Sequence, residues 1–138
     1  MAASKTYAEQ QNIKYAQKIN EMLKIFPEFC REYFYSLEYS KQPRTRLAYA
    51  RDLKTFFEFL IAEFPQYSNY QISDFTLHDI ESVTGQDISD YLRYMKVYDK
   101  DGTTVTNDER AAKRKLCSLR RFYGYYYRYE LISNNPSL

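Results

Sequence analysis

The chain has 138 residues, 44% of them hydrophobic, which is enough for one domain that buries a core. Only three glycines and four prolines are present, so an all-β fold with many tight turns is not expected. No apolar run reaches the roughly 18 residues of a membrane span, and the first residues are too polar for a signal peptide. We therefore expect a cytoplasmic protein with no membrane partner.

Charge is unevenly distributed along the chain, although the formal net charge is only +2. Residues 1–40 are neutral overall, residues 41–60 carry +3, residues 61–108 carry −6 and residues 109–138 carry +5. Two basic segments that flank an acidic one are expected if one face of the fold meets a polyanion. The alternative is that these lysines and arginines only solvate exposed helix faces.

Hydrophobic residues spaced three and four apart predict an all-α chain. The first helix is expected from about Ser4 to Ile25, and a second begins around Pro27. A third helix begins near Pro43, with Arg44 among the cations on its outer side. Its inward stripe is predicted to be Tyr49, Leu53, Phe56, Phe57 and Leu60.

Two short helices follow, each with a capping signal. Thr76 is the predicted N-cap of a helix that runs to Val83, with Asp79 at its third position. The segment "TGQDISDYLRYMKVY" repeats this pattern. The next segment, "DKDGTTVTN", is predicted to be a polar loop with a turn at Asp101-Gly102.

The last helix is predicted from Asn107 to about Glu130, with a capping box formed by Thr106 and Glu109. Its two sides differ in character. The inward residues are predicted to be Ala112, Leu116, Leu119, Tyr123, Tyr126 and Tyr127, and the outward ones Arg110, Lys113, Arg114, Cys117, Arg120 and Arg121.

Motifs for enzyme chemistry are lacking. There is one histidine, no glycine-rich phosphate loop and no metalloprotease or nucleophile-elbow motif. The two cysteines, Cys30 and Cys117, match no metal spacing and are interpreted as structural thiols. We therefore expect no metal and no cofactor. Clustered cations on the first turns of two helices favour nucleic-acid binding instead.

Three segments, in order, resemble the tyrosine recombinases, the phage-integrase family. "PRTRLAYARDLKTFFEFL" looks like the T-x-x-x-Y-x-x-D-L-x-x-F-x-x-F-L run of their N-terminal core-binding domain. "ISDFTLHDIESVTGQDISDYLRYM" is similar to the middle of that domain. "AAKRKLCSLRRFYGYYYRYELISNNP" looks like its last helix, with an Asn-Pro exit toward the catalytic domain.

The resemblance implies a SAM-like bundle of four to five helices over residues 27–138, with residues 1–26 as an extra N-terminal helix. In the family this domain forms half of a C-shaped clamp over the recombination site. The residues expected at the DNA from the resemblance are Arg44, Thr45, Lys113, Arg114, Lys115 and Ser118, and charge and position add Arg46, Arg51 and Arg121. Cys117 stands where the family more often has serine.

The family's strand transfer uses a tyrosine nucleophile that lies in a separate C-terminal catalytic domain. We therefore expect this chain to bind the double-stranded core site without cutting it. The implied partners are DNA, the catalytic domain of the same protein and other recombinase protomers in a synaptic complex.

The competing hypothesis is a helical protein–protein interaction module that does not bind DNA, supported by the acidic middle segment and the amphipathic first helix. Residues 1–26 lie outside the resemblance. They are open to three interpretations: a packed extra helix, part of a region that binds arm sites, or an oligomerisation element.

Overall fold

The computed structural model describes residues 6–100, 103–106 and 109–138. Within these ranges the chain is mainly α-helical, with two 3₁₀ turns (Pro65–Tyr67 and Ile72–Asp74) and one β-hairpin. The helices are α1 (Tyr7–Leu23), α2 (Cys30–Leu37), α3 (Pro43–Glu63), α4 (Leu77–Glu81), α5 (Gly85–Tyr94) and α6 (Glu109–Arg128). The predicted all-α class is confirmed. None of these helices combines the length and apolar character needed to cross a membrane.

Helix α3 is the central element of the bundle. It has 21 residues and begins where the sequence predicts, with Pro43 in its first turn, where a missing backbone N–H costs nothing. Of the predicted stripe, Tyr49 is half-buried and the other four residues are buried. Further side chains of α3 are buried beside that stripe, namely Leu47, Ala50, Asp52 and Phe59. Most of the circumference of α3 is therefore covered by other elements.

The short helices α4 and α5 begin with the same capping box. The Thr76 hydroxyl accepts from the backbone N–H of Asp79 at 3.2 Å, and the backbone N–H of Thr76 donates to the Asp79 carboxylate at 3.0 Å. Thr84 and Asp87 repeat both bonds at 3.1 and 2.9 Å. Each box satisfies two amides that have no partner inside the helix. The predicted caps are confirmed, although α4 ends before the predicted residue.

Aromatic rings fill the core. The largest fully buried aromatic side chains are Tyr33, Tyr91, Tyr123, Tyr126, Phe56, Phe57 and Phe122. Many pack edge to face, the geometry that aromatic quadrupoles favour; the Phe56 and Tyr91 rings, for example, lie 5.2 Å apart at 76°. Three buried hydroxyls donate to backbone carbonyl oxygens: Tyr123 to Ile80 at 2.7 Å, Tyr126 to Phe29 at 3.0 Å and Tyr91 to Asp52 at 3.4 Å. Most of the tyrosine excess thus serves packing.

Helix α1 belongs to the same core as the rest of the bundle. It packs along α3, and its residues Ile19 and Leu23 are buried. Phe26, which follows α1, stacks on Phe34 with ring centroids 5.5 Å apart. Within the N-terminal segment, the residues of α1 therefore form a helix that packs on the bundle.

The segment predicted as a polar loop contains a β-hairpin. Strand β1 (Val97–Lys100) pairs antiparallel with β2 (Thr103–Thr106). Valine and threonine are β-branched and favour extended backbone, and Asp-Gly is typical of two-residue hairpin turns. The loop prediction was therefore wrong for β2 and for the second half of β1, and the first half of β1 lies at the end of the segment predicted to be helical. The turn predicted at Asp101-Gly102 lies outside the described residues.

Helix α6 matches its predicted extent closely. The predicted start at Asn107 lies outside the described residues, and Thr106, the predicted cap, is the last residue of β2. One predicted inward residue, Tyr127, is 48% exposed. The preceding Tyr126 occupies the buried side, and the next residue is rotated by about 100° around the helix axis. The prediction that Tyr127 faces the core was therefore wrong.

Candidate nucleic-acid interface

The carboxylate of Asp52 joins the two basic helices, α3 and α6. Asp52 is 3% exposed and accepts four hydrogen bonds, all from α6. Its Oδ1 accepts from Arg114 Nη2 at 2.6 Å and Lys115 Nζ at 3.1 Å, and its Oδ2 from Arg114 Nε at 3.2 Å and Ser118 Oγ at 2.8 Å. Both oxygens are fully used. One buried negative charge is thus shared between two cations.

Lys115 and Ser118 face the interior. They are 6% and 5% exposed, and their polar atoms lie on Asp52. A buried ammonium group is costly unless it is paired and hydrogen-bonded, and Asp52 provides that pairing. The burial argues against the DNA contacts that the resemblance implies for Lys115 and Ser118. We therefore interpret both as residues that hold α6 on α3.

Arg114 lies at the boundary between this cluster and solvent. Its side chain is 51% exposed, although its Nε and Nη2 both donate to Asp52. A guanidinium has five N–H donors, and the bonds to Asp52 use two of them. The carboxylate therefore fixes the orientation of Arg114 and leaves its outer edge for an acceptor at the surface.

Other cations of the two helices are exposed. Arg44 and Arg51 are exposed on α3, and their seven-residue spacing places them on one side of that helix. On α6, Arg110 and Lys113 are exposed and lie three apart, with Arg114 next to them. Because Asp52 ties α3 to α6, these cations lie on two helices that are in direct contact. We call these five residues the basic surface.

Two further predicted residues of α3 are partly enclosed. Thr45 is half-buried. The Arg46 side chain is only 13% exposed, with its Nη1 3.8 Å from Glu38 Oε1 and its Nε donating to the Lys41 carbonyl at 3.3 Å. Arg46 is therefore engaged with the chain that connects α2 to α3, and less of it is free for a ligand.

Arg121, the last predicted residue, is half-buried and lines a groove beside α2. The groove has a volume of about 710 Å³, and Tyr49 of α3 and Cys117 of α6 also line it. It is therefore a feature distinct from the exposed basic surface.

Three core tyrosines do not have the properties of a nucleophile. Burial raises the pKa of Tyr33, Tyr123 and Tyr126 above the ordinary tyrosine value. A nucleophilic phenol instead needs an accessible oxygen and surroundings that favour its deprotonation. In the part of the chain that the structure describes, no group of three or more histidine, cysteine or acidic residues could hold a metal ion.

Comparison with known proteins finds a recombinase. In an alignment of 121 positions that covers 81% of the chain, it is 34% identical to the tyrosine recombinase XerC of Caldanaerobacter subterraneus subsp. tengcongensis. This similarity supports assignment of the chain to the tyrosine recombinase family. The chain spans about a third of the length of that recombinase. No family model matches the chain, and no solved structure matches it.

Sequence reasoning missed Asp52 as the residue that joins α3 to α6, although it is the aspartate of the quoted Y-x-x-D-L run. One signal was present. Asp52 follows Tyr49 by three residues and precedes Phe56 by four, so it lies on the side of α3 that carries the apolar stripe.

Proposed function

We propose that this chain is the core-binding domain of a tyrosine recombinase and grips duplex DNA at the recombination core site. The observation that carries the proposal is the Asp52 bridge, which locks two cation-bearing helices together. A protein that binds DNA through its phosphates needs several cations held close together. When these cations neutralise phosphates, counterions are released from the DNA, and this release supplies free energy of binding. The similarity to a tyrosine recombinase supplies the biological setting.

We propose a smaller set of DNA-contacting residues than the sequence suggested, because Lys115 and Ser118 are buried on Asp52. The basic surface (Arg44, Arg51, Arg110, Lys113 and Arg114) is its centre. Cations at such positions neutralise phosphates and set the register of the protein on the duplex, whereas base recognition needs further contacts in the grooves. We therefore expect the isolated chain to bind DNA with strong salt dependence and modest sequence preference.

The roles that we propose for this domain and for a catalytic domain follow the family resemblance. This domain positions the duplex, and a C-terminal catalytic domain of the same protein carries out the transesterification. Other recombinase protomers would complete the synaptic complex. On this proposal the chain alone binds the core site and does not cleave or join strands.

The test is fluorescence anisotropy of the purified chain with a labelled duplex of the core site, titrated from low to physiological salt beside a scrambled duplex. Binding in the range of about 10⁻⁴–10⁻⁶ M that weakens steeply with salt would support the proposal. A preference for the core duplex would place part of the site recognition in this domain. Absence of binding at low salt would contradict the proposal and favour the interaction-module hypothesis.

A further inference from the structure

The groove beside Arg121 has a strongly cationic lining. It lies between the end of α2, the segment that follows it, and the second half of α6. In the described part of the chain, its lining includes four cationic side chains and no carboxylate, the cations being Lys41, Arg120, Arg121 and Arg128. Such a concentration of one sign of charge in a concave site favours an anionic ligand.

The second observation is an unpaired donor. Arg121 Nε is buried without a hydrogen-bond partner, and it is the one buried side-chain nitrogen or oxygen in this state among the residues that the structure describes. A buried donor without an acceptor costs free energy, so its persistence needs an explanation. An acceptor oxygen inside the groove would satisfy it.

The remaining lining fits a phosphate group better than a carboxylate. The cations come from α6 and from the segment after α2, and the hydroxyl-bearing residues Ser40, Tyr49 and Tyr125 also line the groove. A phosphate offers several strong acceptor oxygens that point in different directions, whereas a carboxylate offers two in one plane. The volume of about 710 Å³ also leaves room for the sugar that carries a phosphate.

We propose that this groove is a phosphate-binding site in which Arg121 Nε donates to a phosphate oxygen and Lys41 and Arg128 balance the charge. In the complex of the proposed function, the ligand is a phosphate of the DNA backbone, and to that extent the inference rests on the proposed function. The other source of the same chemistry is a free phosphate-bearing molecule.

The site is tested by following the Arg121 Nε–H signal in heteronuclear NMR spectra of the isotope-labelled full chain. The signal is assigned by its loss in Arg121→Lys. Inorganic phosphate, added at constant ionic strength, should shift it saturably and leave the Nε–H signal of the exposed Arg93 unchanged. No shift, or an equal shift of both signals, would overturn the proposal.

Two variants provide an affinity measurement. Arg121→Lys keeps the charge but removes the Nε donor, so it should weaken phosphate binding about tenfold, the usual scale for a charge-assisted hydrogen bond. Arg128→Gln, at an exposed position, should weaken it a few-fold without perturbing the fold. Wild-type phosphate affinity in both folded variants would overturn the site.

A duplex arm separates the two sources of phosphate. If the duplex also shifts the Arg121 signal, and inorganic phosphate competes with it, the ligand is a backbone phosphate. If only inorganic phosphate shifts it while anisotropy shows that the duplex binds, the ligand is a free phosphate-bearing molecule. Duplex binding with no response of Arg121 to either ligand would remove the groove and keep the proposed function. A phosphate response without duplex binding would support the groove as a phosphate site and contradict the proposed function.

Discussion

Asp52 and Arg114 lie 62 residues apart in the chain and form a two-point ion pair across two helices. Arg114 Nη2 is 2.6 Å from Asp52 Oδ1, and Arg114 Nε is 3.2 Å from Oδ2. The pair sits at the edge of the core, with the carboxylate buried and the guanidinium half-exposed. One carboxylate on α3 therefore fixes the position of Arg114 at the surface of α6.

Asp52→Asn should destabilise the domain strongly. The change keeps the size of the side chain but leaves the buried Lys115 without a counter-charge, and breaking a buried ion pair from one side costs about 3–5 kcal/mol. Urea unfolding followed by circular dichroism measures this. The matched control is Asp90→Asn, which removes an exposed pair with Arg93 and should cost no more than about 1 kcal/mol. Equal losses in both variants would refute the bridging role of Asp52.

Lys113→Ala should weaken DNA binding without affecting stability. Lys113 is exposed, so its loss should lower the salt slope of binding by about 0.9 per phosphate contact and change the free energy of unfolding by less than about 0.5 kcal/mol. Arg114→Ala should lower both the salt slope and the free energy of unfolding, since Arg114 also binds Asp52. Arg93→Ala removes an equal charge from α5 and should leave the slope unchanged. An unaltered slope in Lys113→Ala would take that residue out of the interface.

Glu130→Gly should stabilise the protein by about 1 kcal/mol. The backbone of Glu130 is left-handed, with φ 58°. This conformation costs a residue that carries a side chain about 1–2 kcal/mol. Glycine avoids that cost, although its larger backbone entropy in the unfolded state offsets part of the gain. The turn closes α6 through a bond from the Leu131 N–H to the Tyr126 carbonyl at 2.9 Å, a pattern in which glycine is common. Thermal unfolding measures the gain. Glu130→Gln keeps the strain, so a similar gain there would assign the effect to charge.

Stability should fall in alkaline solution. Burial raises the pKa of Tyr33, Tyr123 and Tyr126 in the folded state above the ordinary value of about 10. The folded state therefore holds these protons more tightly. Its advantage is fully present below about pH 10 and is lost as the pH rises further. Urea midpoints measured across this range test the decline, and Tyr123→Phe should make it shallower. A midpoint that does not change with pH would contradict it.

The sequence predicted what depends on neighbours along the chain. The 3.6-residue period located α3 and its buried stripe, and the Thr76 cap followed from its spacing to Asp79. The period does not reveal which polar side chains meet across helices. Nothing in the local sequence distinguishes Lys115 from the basic residues beside it. It lies on the same side of α6 as the buried Ser118 and Phe122, three and seven residues later. Only the packed bundle shows that this side meets Asp52.

The hairpin and the groove were missed for other reasons. Helical periodicity on both sides made the threonine-rich segment look like a simple connection, although Asp-Gly between β-branched residues also signals paired strands. The groove draws Lys41, Tyr49 and Arg121 from separate elements, so no local pattern could predict it.

The three buried tyrosine hydroxyls also fix the rotation of their helices about the helix axes. Tyr123 and Tyr126 on α6 are bonded to carbonyl oxygens of α4 and of the turn before α2, and Tyr91 on α5 is bonded to the Asp52 carbonyl on α3. Purely hydrocarbon rings would let a helix turn slightly about its long axis at little cost, whereas a phenol that must meet one particular oxygen does not. The hydroxyls of the aromatic half of α6 thereby fix the direction in which its cationic half points, so removing one of them should turn those cations away from their present positions.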